Sequence, residues 1–119
     1  MDNKSKNIFK KALDEIAKEY QVRKISTTYA QIEFDILFDD FNYVFIGVLY
    51  ENNRVLLTDL ADYAELLDYS DEEMPRVEEI CLAHNVTFNN YHIEKDYHSN
   101  QDIKDYLDCL LELQKEFID

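Results

Sequence analysis

The sequence predicts a single α+β domain: an antiparallel β-meander with an N-terminal helix, two middle helices, a small β-hairpin and a C-terminal helix. Two observations support this prediction. Apolar residues recur at helical spacing near both ends of the chain, and residues 32–57 contain short apolar or alternating runs separated by turns. The 119 residues fit one domain, 1–119, and the order of elements is α-β-β-β-α-α-β-β-α.

The first helix is predicted over about residues 5–20. Its apolar positions repeat with helical spacing and form one face, made of Ile8, Phe9, Ala12, Leu13, Ile16 and Tyr20. Residues 22–28 follow, and their composition fits either a short strand or an extended connection.

The meander is predicted from three consecutive runs. Residues 32–38 alternate between apolar and acidic side chains, as expected for a strand with one buried face. Residues 43–50 are almost wholly apolar, which is typical of a central strand. The turn at 51–53 is short enough to join this strand to an antiparallel neighbour at 54–57.

The middle of the chain is predicted to form two helices. Thr58 and Asp59 end the last strand of the meander and offer an N-cap to a helix at about 60–68. Residues 70–73 read Ser-Asp-Glu-Glu, the capping-box pattern, and predict a second helix that reaches about His84.

A small hairpin and a final helix complete the domain. Residues 86–88 and 91–94 are predicted as strands joined by Asn89-Asn90. The last helix is capped by Ser99 or Asn100 and runs to about residue 117.

The apolar stripe of the last helix suggests a contact with a second copy. It leaves Leu113 and Ile118 outside the main repeat. We therefore expect an additional contact at these two residues, such as a homodimer interface.

Five segments resemble one known family in their order along the chain. They are residues 26–29 (Ser-Thr-Thr-Tyr), 34–36 (Phe-Asp-Ile), 57–62 (Leu-Thr-Asp-Leu-Ala-Asp), Arg76, and Asn85-Val86. The chain is similar, over roughly residues 26–95, to the bacterial and phage family called domain of unknown function 1828. The resemblance implies an antiparallel hairpin, a Leu-Thr-Asp block and an alternating tail of helices and hairpins. It implies no activity and no functional residue, and it suggests a role in a phage or the accessory genome.

The chain departs from that family after the Leu-Thr-Asp block. Family members often carry a glycine there, whereas this chain continues with Leu60, Ala61 and Asp62. We therefore expect a helix start at this point rather than a left-handed turn.

Charge restricts the classes of partner. The net charge is −14; residues 1–24 hold seven bases and four acids (+3), whereas residues 25–119 hold five bases and 22 acids (−17). A body this acidic repels nucleic acid and anionic membranes and attracts a basic protein surface. We expect no direct nucleic-acid binding and no membrane contact.

Several site classes are disfavoured by the residues that are present. Gly47 is the only glycine, so no phosphate-binding loop is possible, and we expect no cofactor. No run is long and apolar enough for a transmembrane helix or a signal peptide. Cys81 and Cys109 fall within predicted helices and do not form a disulfide framework, which indicates a reducing cytoplasm.

The remaining candidate is an acidic partner-binding face on the predicted helices. Its residues are Asp62, Glu65, Asp68, Asp71, Glu72, Glu73, Glu78, Glu79, Asp102, Asp105, Asp108 and Glu112. Such a face can imitate DNA phosphates and occupy the basic groove of a host defence or nucleic-acid enzyme, without catalysis. An antitoxin or regulator that binds a basic protein would use the same face, and a merely solubilising surface is the alternative.

Two metal-site hypotheses also arise from the sequence. Asp35, Asp59 and Asp62 could serve a metal-dependent hydrolase, because carboxylates are hard oxygen ligands. Against this, Asp59 and Asp62 suit a helix cap and a first helical turn. The other set, Cys81, His84, His92 and His98, lacks the paired spacing of structural zinc ligands, and we expect no metal.

Overall fold

A computed structural model describes residues 3–118 of the chain, and the side chains from residue 7 onward. The helices are α1 (Asn3–Ala17), α2 (Asp62–Leu67), α3 (Met74–Ala83) and α4 (Asn100–Phe117). The strands are β1 (Gln21–Lys24), β2 (Tyr29–Leu37), β3 (Tyr43–Glu51), β4 (Arg54–Thr58), β5 (Thr87–Asn89) and β6 (His92–Asp96). These elements confirm the α+β class.

All six strands belong to one antiparallel sheet, in the order β1-β2-β3-β4-β6-β5. The meander and the small hairpin are joined because β6 pairs with β4, the last strand of the meander. Of residues 22–28, which the sequence left undecided between a strand and an extended connection, residues 22–24 belong to the edge strand β1 and residues 25–28 connect it to β2.

Two-residue turns made without glycine close both tight hairpins. Asn52 and Asn53 have φ values of 52° and 60°, and both therefore adopt the left-handed geometry that suits the twist of a hairpin. In the second hairpin the turn residues are Asn90 (φ 50°) and Tyr91 (φ 67°), one residue later than predicted. The shift places an aromatic residue at a left-handed position, which sequence preference alone disfavours.

The predicted capping box at residues 70–73 does not start α3, which begins only at Met74. The hydroxyl of Ser70 donates to Glu73 Oε1 (3.0 Å) instead of accepting a helical N–H. The backbone N–H of Glu73 is bonded to the carbonyl of Ser70 (3.0 Å), and this closes a turn before the helix. Pro75 then occupies the first turn of α3, where it needs no hydrogen-bond partner.

The core lies between the helices and one face of the sheet. Alternate residues of the central strands, such as Ile46 and Val48 on β3, are fully buried there. Leu113 of α4 is also buried in this core, and Ile118 packs against it. These two residues therefore do not supply the second contact that the spacing of α4 suggested. Among the described residues, no helix combines the length and apolar character needed to cross a membrane.

A β-bulge interrupts the pairing of β2 with β3. Glu33 pairs with Phe45 and Leu37 pairs with Tyr43, so residues 34–36 lie opposite Val44 alone. The extra residues bend β2 and bring Ile36 to the surface, where its exposure is 37%.

Tyr63 completes the sheet where β4 stops. The last pair between β3 and β4 joins Gly47 to Thr58, so Phe45 lies beyond the end of β4. The hydroxyl of Tyr63 donates to the carbonyl of Phe45 (2.8 Å) and accepts the N–H of Phe45 (2.9 Å). One side chain thus satisfies both backbone groups that a longer strand would have paired. Burial raises the pKa of Tyr63, which keeps the hydroxyl protonated.

We expect Tyr63→Phe to lower the free energy of unfolding by about 2 kcal/mol, because it leaves the N–H and carbonyl of Phe45 without a partner. Urea denaturation followed by circular dichroism measures the loss. Tyr43→Phe is the matched control, since Tyr43 is 59% exposed. Equal stability of the two variants would contradict the role given to Tyr63.

Candidate partner-binding surface

The acidic segment begins at a rigid turn built on Asp59. Asp59 is fully buried, and its Oδ1 accepts the N–H groups of Ala61 (2.9 Å) and Ile93 (3.0 Å). Its Oδ2 accepts the N–H of Tyr63 (3.1 Å). One carboxylate therefore joins the end of β4, the start of α2 and strand β6.

The same turn contradicts the expectation of an immediate helix start. Leu60 and Ala61 have φ values of 52° and 67°, so both adopt left-handed geometry, and α2 begins only at Asp62. Side-chain hydrogen bonds hold the turn, because Thr58 Oγ1 accepts the N–H of Leu60 (3.1 Å) and Asp59 accepts that of Ala61. These bonds compensate for a conformation that usually favours glycine.

Asp59 is poorly placed to serve as a metal ligand. Burial is the largest influence on its carboxyl and raises its pKa, although the three backbone N–H groups and His92 oppose that shift. Both of its oxygens are already occupied by those N–H groups, whereas Asp35 and Asp62 are exposed. Within residues 7–118, no group of three acidic, histidine or cysteine side chains could hold a metal ion.

The sparse set of cysteine and histidine residues is also divided among other contacts. Cys81 is buried with its sulfur 3.8 Å from that of Cys109, and both thiols are free. His84 Nε2 lies 2.9 Å from Glu112 Oε1 on α4. These contacts join α3 and its C-cap to α4, and the hydrogen bond with Cys81, followed by burial, raises the pKa of the Cys109 thiol.

Every predicted acid between residues 62 and 79 lies at the surface. All eight are exposed: Asp62, Glu65, Asp68, Asp71, Glu72, Glu73, Glu78 and Glu79. Two of them have side-chain partners, since Glu73 bonds to Ser70 and Glu79 pairs with Arg76 (2.8 Å). The other six make no side-chain hydrogen bond or ion pair with any described residue. Within the described residues, these six carboxylates are therefore not neutralised by direct contacts.

The connection between α2 and α3 is held in place by Tyr69. Its ring contacts Phe88 of β5 (6.0 Å between centroids) and Phe117 of α4 (6.1 Å). Burial raises the pKa of Tyr69 to about 12. Asp68 and Asp71, on either side of this anchor, are thus presented from an ordered segment.

Cross-helix pairs bring acids of α4 beside those of α3. Arg76 donates through Nε to Glu116 (3.0 Å) and through Nη1 to Glu79 (2.8 Å). Together with the contact of His84 with Glu112, this places the C-terminal half of α4 against α3. We call the eight acids of residues 62–79, with Glu112, the acidic surface; Asp108 is also exposed but lies near Tyr20, which follows α1.

Two of the predicted α4 acids have other environments. Asp102 Oδ2 accepts the N–H groups of His98 (2.7 Å) and Ser99 (3.0 Å), and its Oδ1 lies 3.7 Å from Lys95. Its carboxylate therefore caps α4, which begins after Ser99 as predicted. Asp105 is half-buried and accepts a hydrogen bond from Gln101 (3.0 Å).

Sequence reasoning missed the residues that connect the two acidic helices. Arg76 lies on α3 and His84 directly follows it, and their partners Glu116 and Glu112 lie on α4 four residues apart. The four-residue spacing of the two glutamates is a weak sequence signal for the pairing, and it becomes readable only once the two helices are known to be neighbours.

Comparison of the chain with protein-family models, with curated proteins and with solved structures finds no match in any of the three. The resemblance to the family of domain of unknown function 1828 therefore stays a prediction.

Proposed function

We propose that this chain is a non-enzymatic protein that binds a basic protein through the acidic surface. In this proposal the surface occupies the nucleic-acid groove of a host defence or nucleic-acid enzyme and so inhibits it. The family resemblance supports a bacterial or phage origin, and the absence of a disulfide between the buried Cys81 and Cys109 is compatible with a reducing cytoplasm.

One observation carries the proposal: six exposed acids of residues 62–79 have no partner among the described residues. Five of the six lie between residues 60 and 75, where the sequence contains no lysine or arginine to neutralise them. Clustered like charges destabilise a folded chain through mutual repulsion. A basic partner would relieve that repulsion on binding, which makes the surface suited to recognition.

The mechanism is competition for a charged groove. A groove that binds DNA is lined by lysine and arginine, and binding to it releases counterions. The acidic surface offers carboxylates to the same cations, from two short helices and a segment anchored by Tyr69. A regulator or antitoxin that binds a basic partner through this surface is the alternative form of the same proposal.

The test is a pull-down from bacterial lysate with the tagged chain, followed by identification of the retained proteins. We expect basic nucleic-acid-binding proteins whose retention falls steeply as salt rises from about 50 to 500 mM, because screening weakens charge pairs. Retention that does not change over this range would contradict the proposal.

A further inference from the structure

A groove lies on the face of the sheet opposite the core, at strands β1 to β3. Its volume is about 430 Å³, within the range of small-ligand sites. Polar and aromatic side chains line it, including Gln21, Gln31, Glu33, Asp35, Tyr43 and Phe45. The register places Gln21, Glu33 and Phe45 side by side on neighbouring strands.

The β-bulge shapes one end of this groove. Because residues 34–36 lie opposite Val44 alone, β2 bends away from β3 and Asp35 lines the opening. Phe45 is held by stacking on Tyr63, with ring centroids 5.3 Å apart. Tyr43, two residues earlier on the same strand, is 59% exposed. The groove thus has a fixed ring beside an accessible one.

The charge of the groove selects for a cation. Two carboxylates line it: Glu33 is paired with Arg23 (2.7 Å), whereas Asp35 has no such partner, and the sequence contains no lysine or arginine from residue 25 to 53. The carboxylate of Asp35 makes no hydrogen bond or ion pair with any described residue. A cation in the groove would meet that carboxylate and the face of an aromatic ring together.

The guanidinium of Arg23 shows which kind of group the β2 side of the groove can bind. Arg23 donates through Nε to Glu33 Oε1 (2.7 Å) and through Nη2 to Gln31 Oε1 (3.4 Å). A carboxylate and an amide oxygen on β2 are therefore spaced to accept the planar donors of one guanidinium. Asp35 lies two residues further along β2 and lines the same groove, and no described residue donates a hydrogen bond to its carboxylate.

We propose that this groove binds a guanidinium or ammonium group, which pairs with Asp35 and contacts the ring of Tyr43. None of the residues that line the groove belongs to the acidic surface, so this proposal does not depend on the proposed function. The cation has two sources, a free small molecule or an arginine side chain of a protein, and both share this chemistry.

The test is an NMR titration of the ¹⁵N-labelled full chain with N-acetyl-arginine amide, with N-acetyl-norleucine amide as the uncharged control. We expect saturable shifts confined to residues near 31–35 and 43–45, from the arginine compound alone. Asp35→Asn should weaken binding about threefold, the effect of losing one exposed ion pair, and Tyr43→Leu should weaken it similarly. Asp40→Asn, an exposed acid in the neighbouring turn, should leave binding unchanged.

Further measurements distinguish a free ligand from a protein side chain as the source of the cation. They also distinguish the groove proposal from the proposed function. Tighter binding of agmatine than of the arginine amide supports a free ligand, whereas tighter binding of a Gly-Arg-Gly peptide supports a protein side chain. Neutralising Asp68, Asp71 and Glu72 on the acidic surface should not alter the titration. Shifts that are absent, equal with norleucine amide, or unchanged by Asp35→Asn would overturn the groove proposal.

Discussion

Asp59→Ala is expected to lower the free energy of unfolding by about 3 kcal/mol or more, because it leaves two buried and one partly buried backbone N–H groups without an acceptor. Those groups belong to Ala61, Tyr63 and Ile93, so the loss loosens the left-handed turn, α2 and β6 together. Thermal and urea denaturation measure the change. A loss below about 1 kcal/mol would contradict the role of Asp59 as the organiser of this turn.

Two further variants sharpen that result. Asp62→Ala removes the next acid, which is exposed, and should change stability little. Asp59→Asn keeps one acceptor oxygen and should have an intermediate effect. Because burial raises the pKa of Asp59, its ionisation costs stability as pH rises through the raised value. The stability advantage of the natural chain over Asp59→Asn should therefore grow as pH falls from neutral towards about 4.

Neutralising the connection between α2 and α3 is expected to abolish most partner binding without harming the fold. The variant combines Asp68→Asn, Asp71→Asn and Glu72→Gln, and changes the net charge from −14 to −11. None of the three side chains bonds to a described residue, so the melting temperature should be unchanged or higher as repulsion falls. Retention of basic proteins in the pull-down should drop at least about tenfold.

The matched control removes the same charge elsewhere. Asp14→Asn, Asp40→Asn and Glu51→Gln also give −11, and all three residues are exposed, on α1, in the turn after β2 and at the end of β3, outside the acidic surface as defined. This control should retain the partner nearly as well as the natural chain. Equal losses for the two variants would show that total charge, and not the acidic surface, governs binding.

Local patterns predicted the elements of the fold that depend on local physics. The alternation of residues 32–38 and the apolar run at 43–50 correctly indicated paired strands, because side chains on a strand point alternately to its two faces. Ser99 was among the predicted caps of α4, since its position before the apolar repeat is recognisable in sequence.

Features that depend on distant contacts could not be predicted in this way. The left-handed Leu60 and Ala61 are stabilised by the carboxylate of Asp59, which is itself fixed by the N–H of Ile93, 34 residues later. Local preference predicted a helix start there because neither residue is glycine. The hydrogen bonds between the Tyr63 hydroxyl and the backbone of Phe45 likewise depend on β4 ending before it reaches Phe45.

The candidate surface was predictable where it depends on local patterns and unpredictable where it depends on distant contacts. Exposure of the acids at 62–79 follows from their polarity and the apolar stripes between them, and the structure confirms it. The spacing of Asp102 suggested a place on the partner-binding face. Its carboxylate instead accepts hydrogen bonds from the backbone at residues 98 and 99, and these bonds compete with partner binding. The groove at β1 to β3 could not be predicted from the sequence, because its residues converge from three strands around a bulge.

Competition with duplex DNA tests the central proposal most directly. Proteins retained by the immobilised natural chain at low salt are challenged with excess duplex DNA, and the released fraction is identified. If the acidic surface occupies nucleic-acid grooves, DNA should release basic nucleic-acid-binding proteins, and the variant neutralised at Asp68, Asp71 and Glu72 should have retained few of them. Retained proteins that DNA does not release, and that the neutralised variant binds equally, would contradict the proposal.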